Sequence, residues 1–325
     1  MDLNIWCIGS NIESYECLKR FEEEGLYISG LITLPTNSHY LASDYYDLES
    51  WWKLRGRDII ITTDVNSDDT ILKIRKAKVD VLLTLGWSQI FKKQLLAEID
   101  LVIGSHPTKL PIGKGRAPLP WTLLNGLNHS AVSFFIIDEG IDSGPLILQK
   151  EFKFDSNIYV GELYKLVSSY LATGFVEILN KILKKEPLTT LDQDTGKETF
   201  YAKRRPDDGL LNFNQDSKAV QRIVRSLSHP YPGAYTFYKG ELLKVFKATH
   251  VDIGVFSALN GQIVKKVTEG LVVQCADGQI MLADFRNKYG VSLDVEHFQL
   301  HSKFGMILEK EVVNLYEILK RNNIQ

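Results

Sequence analysis

His106 ends the apolar run Asp100 to Ser105 and opens a proline-rich turn, Ser105-His106-Pro107-Thr108-Lys109-Leu110-Pro111, followed by Gly113-Lys114-Gly115-Arg116-Ala117-Pro118. One strand later comes Asp138-Glu139-Gly140-Ile141-Asp142-Ser143-Gly144-Pro145. An imidazole and a carboxylate on separate loops are the parts that acyl transfer to an amine requires. Something must take a proton from the amine, and a donor must hold the oxygen that becomes negative in the tetrahedral intermediate. Histidine can fill either role near neutral pH. A carboxylate within reach, here Asp142, would orient the ring, stabilise its protonated form or accept the proton itself. Spacing alone also fits a blander reading, in which His106 is a satisfied core histidine and Asp142 an Asx-turn former.

The surrounding pattern dictates how these residues are positioned. Leu3 to Gly9, Leu26 to Leu34, Asp58 to Thr62, Val79 to Leu85 and Asp100 to Ser105 read as buried strands. Ser10 to Glu24, Asp68 to Lys78 and Gln89 to Glu98 read as the helices between them, the second opening with acidic capping residues. Strands alternating with helices of this length predict a mostly parallel, Rossmann-like sheet whose ligands bind beyond the carboxyl ends of its strands, where His106 falls. Pro118 to Leu124 suits a short helix, Ala131 to Ile137 and Pro145 to Phe152 suit strands, and Ile158 to Lys185 one long amphipathic helix. A boundary is expected at 203/204. Beyond it, Ser217 to Ser226 reads as a helix with Ser217 as a candidate cap, and His229-Pro230-Tyr231-Pro232-Gly233 as a rigid turn. The turns Lys239-Gly240, Glu269-Gly270 and Asp277-Gly278 then predict a smaller β-rich, barrel-like domain over 204–325, closed by a helix at Lys310 to Arg321.

The chain has 325 residues, 44% of them apolar, and a formal charge of -2 from 38 Lys plus Arg and 40 Asp plus Glu. It offers no global positive field for a polyphosphate, so a small-molecule substrate is expected rather than a nucleic acid. The start MDLNIWCIGSNIESYECL lacks the basic and apolar regions of a leader, and no later segment reads as a span of ~18 apolar residues; neither a membrane partner nor a membrane location is expected, and the cytoplasm is. Cys7, Cys17 and Cys275 have no ligand spacing and suit packing in a reducing compartment. His39, His129, His250, His297 and His301 have none either, so no metal is expected. Gly113-x-Gly115 lacks the context of a phosphate loop and is expected to shape the site beside it.

Taken together, His-Pro-Thr-Lys-Leu-Pro, Gly-Arg-Ala-Pro, Trp121, Asn125-Gly126 and Asp-Glu-Gly-Ile-Asp-Ser-Gly resemble the folate-dependent formyltransferase family, which includes methionyl-tRNA formyltransferase and the sugar N-formyltransferases. The resemblance extends to Gly9-Ser10, to Leu85-Gly86-Trp87-Ser88-Gln89-Ile90, and to Tyr201 to Gly209 with His229 to Ala234. It implies a Rossmann-like transfer domain and a β-barrel-like second domain. The implied donor is N10-formyltetrahydrofolate, its pterin bound near Leu85, Gly86 and Trp87 and along Asp138, Gly140 and Ile141, with the formyl carbon brought to His106 and Asp142.

One departure matters. The family usually has an asparagine two positions before the histidine, contributing to oxyanion stabilisation, and this chain has Gly104 there. Losing such a donor costs on the order of 10² to 10³ in rate. Ser105 should point to the other face of the strand; a backbone N–H, an ordered water or Thr108 are the expected substitutes, unless the glycine makes room for a differently placed acceptor. The segments Lys203 to Gly209 and Arg225 to Ala234 look more like sugar N-formyltransferases, which implies a nucleotide-linked amino sugar as acceptor and, by analogy, a role in surface or flagellar glycan synthesis. Arg204, Arg205 and Arg225, with Arg222, could bind a diphosphate, and Trp121, Tyr231 or Tyr235 could stack on a base; Arg116 lies beside the site. Methionyl-tRNA remains an alternative, with Lys239, Lys244, Lys247, Lys265 and Lys266 as its basic face. A folate-binding homologue without transferase activity is the third reading, and a homodimer is an open expectation.

Overall fold

Ile5–Ile8 (β1) is apolar at every position and buried throughout, as a strand covered on both faces of a sheet must be. In the computed structural model, which describes residues 3–40, 44–254, 256–305 and 308–321, the strands of the first unit are β1, Gly30–Thr33 (β2), Asp58–Ile61 (β3), Val81–Thr84 (β4), Leu101–His106 (β5), Lys114–Gly115 (β6), His129–Ile136 (β7), Leu146–Lys153 (β8) and Phe200–Tyr201 (β9). The helices up to that point are Ile12–Glu23 (α1), Leu48–Lys53 (α2), Asp68–Ala77 (α3), Lys93–Leu96 (α4), Pro118–Leu124 (α5) and Val160–Leu183 (α6). The sheet order is β3-β2-β1-β4-β5-β7-β8, parallel from β3 to β5 and antiparallel beyond it. Strand order reverses between β1 and β4, the crevice where doubly wound sheets hold ligands.

The chain divides into two compact units, Met1–Thr122 with Leu127–Ile158 and Glu162–Lys203, and Arg204–Gln325 with Leu123–Gly126 and Tyr159–Gly161. The second unit holds Ser217–Leu227 (α7), Leu308–Arg321 (α8) and an antiparallel sheet in the order β10-β11-β14-β13-β12, with β15 on β14. Its strands are Ala234–Tyr238 (β10), Glu241–Val251 (β11), Ile263–Val267 (β12), Gly270–Gln274 (β13), Gln279–Asn287 (β14) and Ser292–Leu293 (β15). Val220 and Val224 of α7 pack with Leu243, Val245, Leu282 and Phe285 in its core.

Several local expectations change. The helix read over Gln89 to Glu98 is reduced to α4, because Gln89 uses its amide on Val65 N and Thr63 O, and Asn66 binds Ile90 O and Lys92 N, which holds 89–92 in an irregular path. Asp216, not Ser217, caps α7, and Ser67 caps α3 ahead of the acidic pair Asp68 and Asp69. The expectation of no span-length apolar segment is also corrected: α6 is long and apolar enough to cross a membrane by length and composition. Here it lies against the sheet, with Leu163, Val167, Phe175 and Ile178 buried and Phe175 edge-on to Phe134 of β7, centroids 5.0 Å apart.

At the start of α1, burial and then the charge of Asp44 push the Glu13 carboxyl up to about 8, against a hydrogen bond from Asn11 that lowers it. The folded protein therefore holds a proton that the unfolded chain releases above its ordinary carboxyl range, and stability falls as pH rises from about 4.5 towards 8. Glu13→Gln removes that penalty. It is expected to stabilise the protein by about 3 kcal/mol at pH 7 and by nothing near pH 4; a stability gain that does not change with pH in denaturant titrations contradicts the assignment.

Candidate active site

Both loops at the β1/β4 crevice are joined by α1. The Ser14 hydroxyl donates to the Leu85 carbonyl, and the Asn11 side chain lies where a Cβ on Gly86 would be, 2.5 Å from its Nδ2. Trp87, next in the chain, packs half-buried against the apolar cluster of Ile8, Ile32 and Leu82, as does Ile137. Arg116 bridges this loop to the next, donating from Nη1 to Ser88 O at 2.9 Å.

Strand β5 delivers His106 buried, at 5% exposure. Its Nε2 is 2.8 Å from the Gly113 carbonyl, and a carbonyl only accepts, so Nε2 carries a proton. Its Nδ1 faces Asp142 Oδ2 at 3.5 Å. With Nε2 protonated, Nδ1 can donate to that carboxylate only from the imidazolium form. Catalytic contacts of this length tighten when substrate closes the site.

Asp142 reaches His106 because the loop after β7 folds back over β5. Ile137 N donates to Val102 O at 2.9 Å, and the chain then returns along the face that Gly104 and His106 share. Asp142 adopts φ +49, a left-handed conformation that costs a non-glycine residue energy and has to be held by its surroundings. Gly144 must be glycine, since a Cβ would lie 1.7 Å from Ile136 O. Within the loop, the Asp138 carboxylate accepts from Gly140 N at 3.0 Å and from the Ser143 hydroxyl at 2.7 Å, and Ile141 is exposed. Gly115 N donates to Asp142 Oδ2 at 2.8 Å, and its φ of +101 aims the amide there. Asp142 Oδ1 has no hydrogen-bond partner among the described residues, leaving it open to accept a proton.

The structure therefore gathers Leu85, Gly86, Trp87, Arg116, His106 and Asp142 along one chain of contacts. It corrects three expectations. Gly104 makes no room: a Cβ there would lie 2.8 Å from Ile137 Cγ1 and 3.2 Å from Phe135 Cζ, so apolar side chains occupy the place an asparagine would enter. Thr108 is no free oxyanion donor, being 5% exposed with its hydroxyl donating to Gly113 O at 3.4 Å. Arg225 is likewise 5% exposed on α7, a buried guanidinium rather than an open diphosphate ligand. Ser105 does point away, its hydroxyl reaching Thr84 O at 3.5 Å. Trp121 is half-buried, stacked on Tyr201 and donating to Ala202 O at 2.9 Å. In the second unit, Arg204 donates to Asp208 O at 2.9 Å, desolvation lowering its pKa, while Arg205 is exposed and Tyr231 half-buried. Among the described residues no group of three or more His, Cys, Asp or Glu could hold a metal ion.

Gly104→Asn is expected to destabilise the first unit by about 1–3 kcal/mol through overpacking against Ile137. Gly104→Asn with Ile137→Ala should recover most of that loss in thermal melting; no recovery would mean that Ile137 is not what fills the space.

The sequence reading named Lys114 only as part of the glycine-rich turn and missed Gln193, Glu198 and Thr199, which bond to this site's loops. The Lys114 ammonium is 2.9 Å from Glu198 Oε2 and the lysine is 1% exposed. The available signal was a lysine between two glycines, which periodicity does not distinguish from a surface turn.

Comparison with known proteins matches the model described as "Formyl transferase" to residues 62–179 and "Formyl transferase, C-terminal domain" to residues 203–300. Methionyl-tRNA formyltransferase of Thermodesulfovibrio yellowstonii is 31% identical over 220 residues, 67% of this chain and 69% of that protein. The N-formyltransferase from Helicobacter canadensis, solved with folinic acid and dTDP-3-aminofucose, is similar in fold with a TM-score of 0.65 at 18% identity, over 86% of this chain and 98% of that one. HypX from Aquifex aeolicus, solved with tetrahydrofolic acid, gives a TM-score of 0.64 at 14% identity over 91% of this chain; the chain spans about half of HypX, 47%.

Proposed function

Because the chain belongs to the formyl transferase family, we propose that it moves the formyl group of N10-formyltetrahydrofolate to a primary amine in the cytoplasm, with residues 1–203 as the transfer domain. The observation that carries the reading is the His106–Asp142 pair on its glycine shelf. The amine nitrogen attacks the formyl carbon, the bond from that carbon to N10 breaks, and the proton lost by the amine ends on N10. Asp142, with Oδ1 open, is the group that takes that proton; His106, backed by the carboxylate, stabilises the oxygen as it becomes negative by turning its Nε2–H to it from the Gly113 carbonyl, which holds that N–H in the free site. The shared enclosure of Gly104 by Ile137 makes His106 more important here than in a site with an additional amide donor. The donor's pterin would lie along Leu85 to Trp87 and Asp138 to Ile141, where backbone groups border the crevice.

For the acceptor we propose the amine of a nucleotide-linked amino sugar, consistent with a formal charge of -2 that offers RNA no general attraction. Methionyl-tRNA is the second reading, favoured by the names of the sequence relatives. Tetrahydrofolate release from N10-formyltetrahydrofolate, followed with UDP-, dTDP- and GDP-linked amino sugars and with methionyl-tRNA, separates them. Turnover with one sugar nucleotide supports the first reading, turnover only with the charged RNA the second, and folate binding without turnover on any of them a binding protein.

A further inference from the structure

Residues 191–201 lie between the two stretches that match the family, and they bind both loops of the site. Leu191 exchanges backbone hydrogen bonds with Leu146, at 2.8 and 2.9 Å, where the Asp142 loop ends. Gln193 Nε2 then donates to the carbonyls of Asp142 and Gly144, at 2.8 and 2.7 Å, spanning the left-handed turn that aims the carboxylate. Its Oε1 is buried with no partner, an arrangement that costs free energy and leaves the two donations as the side chain's contribution. Further along, Gly113 N donates to Thr199 Oγ1 at 2.9 Å, Lys114 N to Thr199 O at 2.9 Å, and Arg116 N to Tyr201 O at 3.1 Å.

The loop 113–116 thus has two edges. One gives Gly113 O to His106 and Gly115 N to Asp142; the other is bonded to 199–201. Gly113 and Gly115 have φ of +75 and +101, so the loop has little stiffness of its own and depends on that second edge. We propose that residues 191–201 form a positioning strap for the transfer reaction, with Gln193 and Thr199 as the side chains through which it sets the approach of Asp142 to His106. The inference rests on His106 and Asp142 being the reacting pair. A displacement of about 1 Å in such a pair can lower the rate on the order of 10²-fold.

Gln193 is half-buried and Thr199 exposed, so their substitution leaves the core intact. With the acceptor that turns over, Gln193→Ala and Thr199→Val are expected to lower kcat about 10-fold or more, while KM for N10-formyltetrahydrofolate stays within about twofold and the melting temperature is unchanged. Thr199→Ser, which keeps an oxygen for Gly113 N–H, is expected to retain wild-type kcat, and Gln193→Ala to shift the pH profile of kcat/KM. Wild-type kcat in either loss variant, a rise in KM alone, or a kcat loss matched by a falling melting temperature would overturn the strap. His106→Ala is assayed alongside. Full turnover in that variant overturns the reacting pair and the strap with it, whereas its loss beside wild-type Gln193→Ala overturns the strap alone.

Discussion

Asp142→Asn is expected to reduce kcat by a factor on the order of 10² to 10⁴ with little change in melting temperature. The amide keeps the size of the side chain and one oxygen for Gly115 N–H, so the loop retains its 2.8 Å anchor. What disappears is the negative charge beside His106 Nδ1 and the oxygen that can take a proton from the amine. His106→Ala removes the Nε2–H that turns from Gly113 O to the reacting oxygen and is expected to fall in the same range, because the Gly104 position, filled by Ile137, offers no amide donor in its place. The double variant should lose little more than either single one, since residues acting as a unit are not additive. Stopped assays of formylated product give the numbers; full activity in either single variant rejects the roles assigned to the pair.

Glu198→Gln should destabilise the first unit by about 3–5 kcal/mol, and Lys114→Met by clearly less. The asymmetry follows from exposure. Lys114 is 1% exposed and Glu198 33%, so losing the glutamate's charge strands an ammonium away from water, whereas losing the lysine leaves a carboxylate that water still reaches. The ring of Phe200, 5.9 Å from the ammonium, offers a cation–π attraction that is weak beside a full counter-charge. At about 2–4 °C per kcal/mol for a unit of this size, Glu198→Gln should melt roughly 10 °C lower. Thermal melting of both variants checks it, and equal losses in the two would show that burial of the lysine does not dominate.

How much of this was legible follows from what each element is made of. Strands such as Ile5–Ile8 and Val81–Thr84 are short runs in which every residue is buried, and the helices between them show their apolar stripe, so the winding of the sheet can be read from period and punctuation. His106 was legible for the same reason, as the polar end of an apolar strand. Asp142 was legible as a residue but not as a geometry, because nothing in its spacing says that the loop doubles back along β5. The content of the space beside Gly104 was hidden too: it depends on the side chain of Ile137, from a neighbouring strand's end. Segment 191–201 has almost no apolar period, and its holding contacts are backbone pairs and the side-chain bonds of Gln193 and Thr199 to backbone groups, none of which leaves a sequence rhythm.

The pairing of β6 with β9 also sets an order of events during synthesis. Lys114 and its partner Glu198 are 84 residues apart, and the intervening chain contains β7, β8 and all of α6. A ribosome adding about 5–20 residues each second completes the strands of the sheet first and adds the partner of the glycine loop's second edge several seconds later. A nascent chain that stops short of Thr199 already contains His106, Asp142 and Gln193, yet the second edge of loop 113–116 still lacks Thr199 and Tyr201 to bind; on the strap proposed above, the site is completed only by the last residues of the first unit.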